Sequence, residues 1–297
     1  MWVAEDPGSL RVVEQAQRIA ATQFPVLIQG EPGTGKRLLA TLIHELSNAA
    51  APLIYFSPDA LPATLIETEL FGDETSAYVQ RGRVELAHGG TLVIDELAAL
   101  PLPAQVRLLH IIENKSFTRP GGTRSVSANV RVVALTGLNL DIAQERSAIE
   151  PALLAYFQAA VVVVPSLRHR PVDVPALAAR FLDAWSALHG AARKTISPAA
   201  ITALQTYDFA GNVSELKHIV EHCAARCGAE EISLEHLPRY VTQLDREAEG
   251  TRSLEDVERE HIAKVLQFTN GRKTEAADIL GISRKTLLEK RKRYGLG

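Results

Sequence analysis

With 297 residues, 46% hydrophobic and 23% charged side chains and a net charge of −3, the chain has the make-up of a globular protein with two or three compact units. No apolar run approaches membrane-spanning length, and Glu5 and Asp6 stand where a secretory leader would be basic. Two cysteines make no disulfide framework, so a cytoplasmic protein without membrane contact is expected. The charge is uneven: residues 251–297 carry 11 Lys/Arg against 7 Asp/Glu, a surplus of +4, which leaves −7 on the remainder. A basic tail on an acidic body points to a localised nucleic-acid contact.

In chain order, the first strand expected is Val26–Gln29. It runs into Gly30-Glu31-Pro32-Gly33-Thr34-Gly35-Lys36-Arg37, which reads G-x-x-x-x-G-K, and a helical pattern over Arg37–Leu46 follows. Strand, glycine loop and helix in that order make a phosphate-binding loop: backbone N–H groups close around phosphate oxygens, the helix N-terminus faces the same anion, and Lys36 reaches the outer phosphates. Next come a strand at Leu53–Phe56 and a helix at Leu61–Leu70. Gly89-Gly90-Thr91-Leu92-Val93-Ile94-Asp95-Glu96 is an apolar strand, Thr91–Asp95, running into two carboxylates. In phosphate-loop proteins an acid here holds Mg²⁺ and a second polarises the attacking water, so Asp95 is the metal-side candidate and Glu96 the base candidate. A helix at Pro103–Asn114 and strands at Val130–Thr136 and Ala159–Val164 complete an α/β unit with a parallel sheet buried on both faces.

From Asp173 to Tyr240 no strand is expected, only helices near Val174–Leu188, Pro198–Gln205, Val213–Cys227 and Leu234–Tyr240, with Ser197-Pro198 and Ser233 as starts. His218, His222, Cys223 and Cys227 do not converge at helical spacing, which argues against a zinc site. Asp245–Gly250 is a polar linker, followed by helices at Leu254–Phe268, Thr274–Leu280 and Ser283–Tyr294. Within them, Ala276-Ala277-Asp278-Ile279-Leu280-Gly281-Ile282-Ser283-Arg284-Lys285-Thr286-Leu287 has the form of a helix-turn-helix: small alanines, Gly281 in the turn, Ser283 as cap. Arg284, Lys285 and Thr286 then stand at the end of the second helix that meets base edges, and Lys290, Arg291, Lys292 and Arg293 suit phosphates.

Taken together the motifs resemble the sigma-54-dependent transcription activators, in which an AAA+ domain precedes a Fis-type helix-turn-helix. Besides the phosphate loop and the tail, the resemblance rests on Glu69-Leu70-Phe71-Gly72, on Gly82-Arg83-Val84-Glu85-Leu86-Ala87 before Gly89–Glu96, on Pro165-Ser166-Leu167-Arg168-His169-Arg170 and on Gly211-Asn212-Val213. It implies an AAA+ α/β subdomain at 1–168, a helical lid at 169–242, a linker at 243–252 and a DNA-binding domain at 253–297. It further implies ATP and Mg²⁺ as ligands, double-stranded DNA and RNA polymerase or a sigma factor as partners, and a dimer or higher homo-oligomer. Members usually carry an N-terminal sensory domain; here the AAA+ unit starts almost at Met1, so none is expected.

The departures from the family pattern fall at hydrolysis and coupling positions. Ser76-Ala77-Tyr78-Val79-Gln80-Arg81 replaces the sigma-contacting Gly-Ala-Phe-Thr-Gly-Ala loop, and residues before Gly82 are missing. The sensor strand ends Leu135-Thr136-Gly137 instead of Ala-Thr-Asn. Glu150 and Tyr156 align with the arginine fingers, with Arg146 nearby; Ser214 stands for the second-sensor arginine, Ser57 for the asparagine that switches the glutamate, and Arg37 for a glutamate. The expectation is a DNA-binding regulator whose AAA+ core binds ATP and hydrolyses it weakly or not at all. Two alternatives stand beside it: an active ATPase remodelling sigma-54 RNA polymerase, and a regulatory pseudo-subunit of related AAA+ rings.

Overall fold

In the computed structural model the described residues are 2–75, 79–138, 148–242, 254–269 and 272–294. The chain divides into one unit over Met1–Leu237 and a second over Pro238–Gly297.

The first unit opens with α1 (Pro7–Ala20), β1 (Val26–Gln29), α2 (Lys36–Asn48), β2 (Leu53–Phe56), α3 (Ala63–Phe71), the short α4 (Arg83–Leu86) and β3 (Thr91–Ile94). It continues through α5 (Leu102–Asn114), β4 (Ser116–Thr118), β5 (Ser125–Ser127), β6 (Arg131–Thr136), α6 (Pro151–Phe157) and β7 (Val161–Val163). Strands β2, β3, β6, β1 and β7 form one sheet in that order, and every neighbouring pair is parallel. Side-chain alternation assigns its two faces. Leu27, Leu92, Ile94, Val132 and Ala134 join one core cluster with α3 and α5, whereas Val26, Ile28, Val93, Val133 and Leu135 join a second with α1 and α2. Both faces are dry, which is why these strands read as unbroken apolar runs.

Beyond β7 lie α7 (Asp173–His189), β8 (Thr195–Ile196), α8 (Pro198–Thr206), α9 (Asn212–Arg226) and β9 (Glu231–Ile232). The expectation of a strand-free lid is corrected here, because β8 and β9 pair in parallel. Two-residue strands are too short to leave a period in the sequence. The helix expected at Leu234–Tyr240 is also corrected: only a 3₁₀ turn, Leu234–His236, forms, with Ser233 and His236 capping each other. Pro238 lacks an N–H and holds Leu237 extended (ψ 148°), which ends the turn. The β4–β5 hairpin was not anticipated either, since its three-residue strands carry mostly polar side chains.

A buried knot joins the start of the chain to the lid. The Asp173 carboxylate accepts from the backbone N–H groups of Glu5 and Asp6, both at 2.8 Å, and from the Ser9 hydroxyl. Arg170 sits 3.6 Å from Asp173, donates to the Thr34 carbonyl at 2.8 Å and lies over the Trp2 ring. Both charges are essentially inaccessible to water. Burial lowers the guanidinium's proton affinity, and the neighbouring Asp173 and Asp6 oppose that shift.

The second unit contains α10 (Leu254–Phe268), α11 (Lys273–Ile279) and α12 (Arg284–Tyr294). Ile262, Val265 and Leu266 of α10 meet Ala276 and Ala277 of α11 and Leu287 of α12 in its own small core. Asp173→Ala strands the Arg170 charge in the interior and is expected to destabilise the first unit by about 3–5 kcal/mol. Urea unfolding followed by circular dichroism measures this; a change of less than about 1 kcal/mol would mean the knot is not a stability element.

Candidate functional site

Parallel pairing brings the carboxyl ends of β1, β3 and β6 side by side, with Gln29 opposite Thr136 and Ile94 opposite Ala134. The loops after these strands carry Gly30–Arg37, Asp95-Glu96 and Gly137. β1 is also where the sheet reverses its winding, since β6 and β7 flank it. Crevices at such switch points are where open α/β sheets bind ligands.

The Gly30–Arg37 loop is held from both sides. From the sheet, the Thr136 carbonyl accepts from the Gly30 N–H at 3.1 Å. From the lid, Val213 and Ser214 donate their N–H groups to the Gly33 carbonyl at 3.0 and 3.3 Å. The Asn212 amide donates to Glu31 Oε2 at 3.1 Å and to the Pro32 carbonyl at 3.0 Å. Gly33 adopts φ +77°, and a Cβ there would stand 2.2 Å from the Gly211 carbonyl oxygen, so only glycine lets the lid come this close. Arg168 grips Glu31 with both terminal nitrogens, one at 3.0 Å. These donors, Arg168 first and Asn212 second, hold the Glu31 carboxyl below its ordinary value.

Lys36 begins α2 and folds back, donating to the carbonyls of Gly30 at 2.7 Å and Glu31 at 3.1 Å. Burial lowers its ammonium's proton affinity, while Glu96 and Asp95 pull the other way. Burial raises the Asp95 carboxyl, with Arg37 opposing and Asp59 reinforcing. Arg37 Nε lies 3.3 Å from Asp95 Oδ2. Glu96 adopts φ +65°, rare for a residue with a side chain. Its carboxylate accepts from Thr136 Oγ1 and from the Gly137 N–H, each at 2.9 Å. A Cβ on Gly137 would stand 3.3 Å from Glu96 Oε2, a close contact that a small shift of the carboxylate would relieve.

The donor set fits magnesium poorly. The residue after the loop lysine, which in phosphate loops brings a hydroxyl to the ion, is Arg37. Asp95 is already paired with it, and Thr34 Oγ1 donates to the Glu31 carbonyl at 2.8 Å. Beside the loop lies a cavity of about 160 Å³ whose lining includes Trp2, Val3, Gly35, Leu38, Leu177 and Phe181. Sequence reasoning did not find Trp2 or Leu177, which lie 28 and 140 positions from the loop and carry no motif of their own.

Glu150 and Tyr156, the residues that the resemblance sets at the finger positions, make local contacts. The Glu150 N–H donates to Gln105 Oε1 at 2.8 Å, and the Tyr156 hydroxyl donates to Glu113 at 2.9 Å. Arg146 lies outside the described residues, as do Ser76, Ala77, Tyr78 and the linker 243–252. The base of the short loop is visible: Asp73 and Gln80 pair as an antiparallel bridge, and a Cβ on Gly72 would meet the Gln80 carbonyl at 2.3 Å. Arg119 clamps the surrounding segment, contacting Glu85 at 2.7 and 2.8 Å and Glu74 at 3.3 Å.

In the second unit, Gly281 turns the chain at φ +63°, and Ser283 Oγ accepts from the Thr286 N–H at 3.1 Å, capping α12. Arg284 and Lys285 are exposed at its start. At about 100° per residue, Lys290 and Arg291 flank the stripe that Leu287 and Tyr294 turn to the core. Lys290 pairs with Glu258 at 2.5 Å and Arg293 with Glu255 at 2.5 Å, so part of the expected phosphate-facing run is tied to α10. Cys223 in α9 and Cys227 just after its end are buried, and burial pushes the Cys223 thiol up to about 11.

A parallel sheet with a glycine loop at its switch point, a helical lid on that loop and a separate helix-turn-helix define a P-loop AAA+ regulator. Comparison with known families agrees along the chain: residues 2–162 match the sigma-54 interaction domain, 168–254 the AAA+ ATPase lid domain and 253–294 the bacterial regulatory protein Fis family. The chain is 35% identical over 302 residues to the alginate biosynthesis transcriptional regulatory protein AlgB of Pseudomonas aeruginosa, covering 99% of this chain and 67% of that one. It is 36% identical over 299 residues to the transcriptional regulatory protein ZraR of Escherichia coli K12, covering 97% and 67%. The solved structure of NtrX from Brucella abortus in complex with ATP superposes with a TM-score of 0.74 at 28% identity, over 99% of this chain and 69% of that one. The chain thus spans about two thirds of these relatives. It belongs to the family of sigma-54-dependent transcriptional regulators.

Because Glu31's folded pKa is depressed, its contribution to lid docking is complete above the ordinary glutamate range and is lost as pH falls through the lower folded value. Carboxyl-detected NMR titration should find Glu31 below that range in the native chain and within it in Arg168→Ala. An unchanged titration in the variant would remove Arg168 as the cause.

Proposed function

We propose that this chain is a DNA-binding transcription regulator with an ATP-binding core that hydrolyses ATP weakly or not at all. The observation that carries the reading is the docking of Glu96 on Thr136 and Gly137, which holds the candidate base against the end of the neighbouring strand β6. Gly30, Glu31, Pro32, Gly33, Thr34, Gly35, Lys36 and Arg37 would cradle the phosphates, with Asp95 beside them. The base would enter the cavity under Trp2, and binding of ATP by NtrX supports this choice of ligand.

Weak turnover is further supported at the finger positions. An arginine finger is worth roughly a thousandfold or more in rate, and Glu150 carries the opposite charge. Only six residues, 74–79, separate the bridged Asp73 and Gln80, and so short a segment supports a weak grip on a sigma factor. The proposed division is 1–168 for the α/β subdomain, 169–242 for the lid, 243–252 for a linker and 253–297 for DNA binding. Fis-type modules read near-palindromic sites as pairs, so the working form would be a dimer or a higher oligomer. A second reading, active remodelling of sigma-54 RNA polymerase, is favoured by the family match over residues 2–162.

In α12, Arg284, Lys285 and Thr286 would meet base edges, while Arg291, and Lys290 on leaving Glu258, would meet phosphates. Arg284→Ala is expected to lower affinity for the preferred site by about 1–3 kcal/mol and to flatten sequence preference at one position. Selection of binding sites from a random duplex library, followed by gel-shift titration at fixed salt, provides the check. Undiminished affinity with the same preferred sequence would remove α12 as the reading helix.

A further inference from the structure

Arg37 stands where phosphate loops in general carry a hydroxyl residue that helps to hold magnesium, and where the family pattern has a glutamate. A guanidinium has donors only and stays charged at every accessible pH, so it cannot ligate a cation. Here it reaches instead across to the acid that would share the ion, with Nε 3.3 Å from Asp95 Oδ2. The side chain is held in that direction. Its guanidinium carbon lies 5.0 Å above the Tyr55 ring, and the Tyr55 hydroxyl donates to the Arg37 carbonyl at 3.2 Å. Thr41 and Tyr55 hydroxyls lie 2.6 Å apart and fix the ring in turn. An exposed ion pair of this kind adds little to the fold. Its consequence is where it puts charge: a permanent cation beside Lys36, in front of Asp95, with more than half of its side chain still open to solvent.

We infer that Arg37 takes over the charge-neutralising role of the divalent cation, so that this chain binds metal-free ATP about as well as the magnesium complex. The inference rests on the nucleotide reading above and concerns binding alone. Lys36 and Arg37, successive residues at the N-terminus of α2, then face the terminal phosphates as two fixed charges. Magnesium meets a carboxylate already neutralised and a guanidinium that repels it. The cost falls on hydrolysis, because a cation fixed to α2 cannot follow the γ-phosphoryl group as a bridging ion does.

Calorimetric titration of the whole chain with ATP, in EDTA and in excess Mg²⁺, tests this. Native protein should bind in both, with dissociation constants within about threefold of each other, whereas Arg37→Gln should weaken by about tenfold or more in EDTA and recover with Mg²⁺. Arg37→Lys, which keeps the charge, should behave like native protein. Native binding that weakens more than threefold in EDTA overturns the inference while leaving the nucleotide reading intact, and so does a Gln variant indistinguishable from the Lys variant. No heat of binding under either condition overturns the nucleotide reading itself, and this one with it. Arg37 is largely exposed, and matching far-ultraviolet spectra establish that the variants are folded.

Discussion

The buried pair of Arg170 and Asp173 is the constraint on which the rest of the site depends. A desolvated charge persists only where partners compensate it, and here three distant segments supply them to all but Arg170 Nε, which is buried without an acceptor. The N-terminal segment gives the N–H groups of Glu5 and Asp6 and the Ser9 hydroxyl, the phosphate loop gives the Thr34 carbonyl, and the lid gives Asp173 itself. Because these contacts must be met together, the lid, the loop and the Trp2 roof keep one geometry. The cavity beside Gly35 is bounded by those same three segments. Glu31, bound by Arg168 and Asn212, adds a second fastening between loop and lid nearer to solvent.

Within that frame the chemistry is unevenly preserved. The parts that shape a phosphate site are present: the glycine loop, Lys36 and the N-terminus of α2. In the proposed reading, the candidate catalytic residues each face a partner within the chain. Glu96 is received by Thr136 and Gly137, Asp95 by Arg37, and Tyr156 by Glu113. The changes fit one another physically. The Gly137 N–H receives the Glu96 carboxylate, and Arg37 pairs with Asp95. Groups that satisfy one another's buried or charged atoms lower the frustration of the fold.

The sheet was legible in the sequence because both of its faces are dry. Val26–Gln29 and Leu53–Phe56 coincide with the observed strands, and the remaining three differ only at their ends. In the second unit Leu254–Phe268 coincides as well, and Gly281 and Ser283 mark the turn through backbone chemistry that a single residue reveals. Elements held mainly by partners far along the chain were not legible. Strands β8 and β9 are two residues each, and the turn after Ser233 stops at Pro238 although its composition favours a helix. Helix α1 was overlooked despite a local signal, Asp6 accepting from the Gly8 N–H with Pro7 in the first turn. At the site, the glycine loop and the Asp95-Glu96 pair are contiguous motifs and could be read directly. The partners that decide their state, Thr136 and Arg168, lie 40 and 137 positions away from the residues they hold.

The central claim is that nucleotide binding is retained while turnover is not. It is tested most directly by measuring ATP binding and phosphate release on the same purified sample, across a protein concentration series with and without DNA. The account predicts saturable binding with no release above background at any concentration. Release that climbs with protein concentration would contradict it: neighbouring subunits would then be supplying the missing cations, and Glu96 would be leaving Thr136 and Gly137 to activate water.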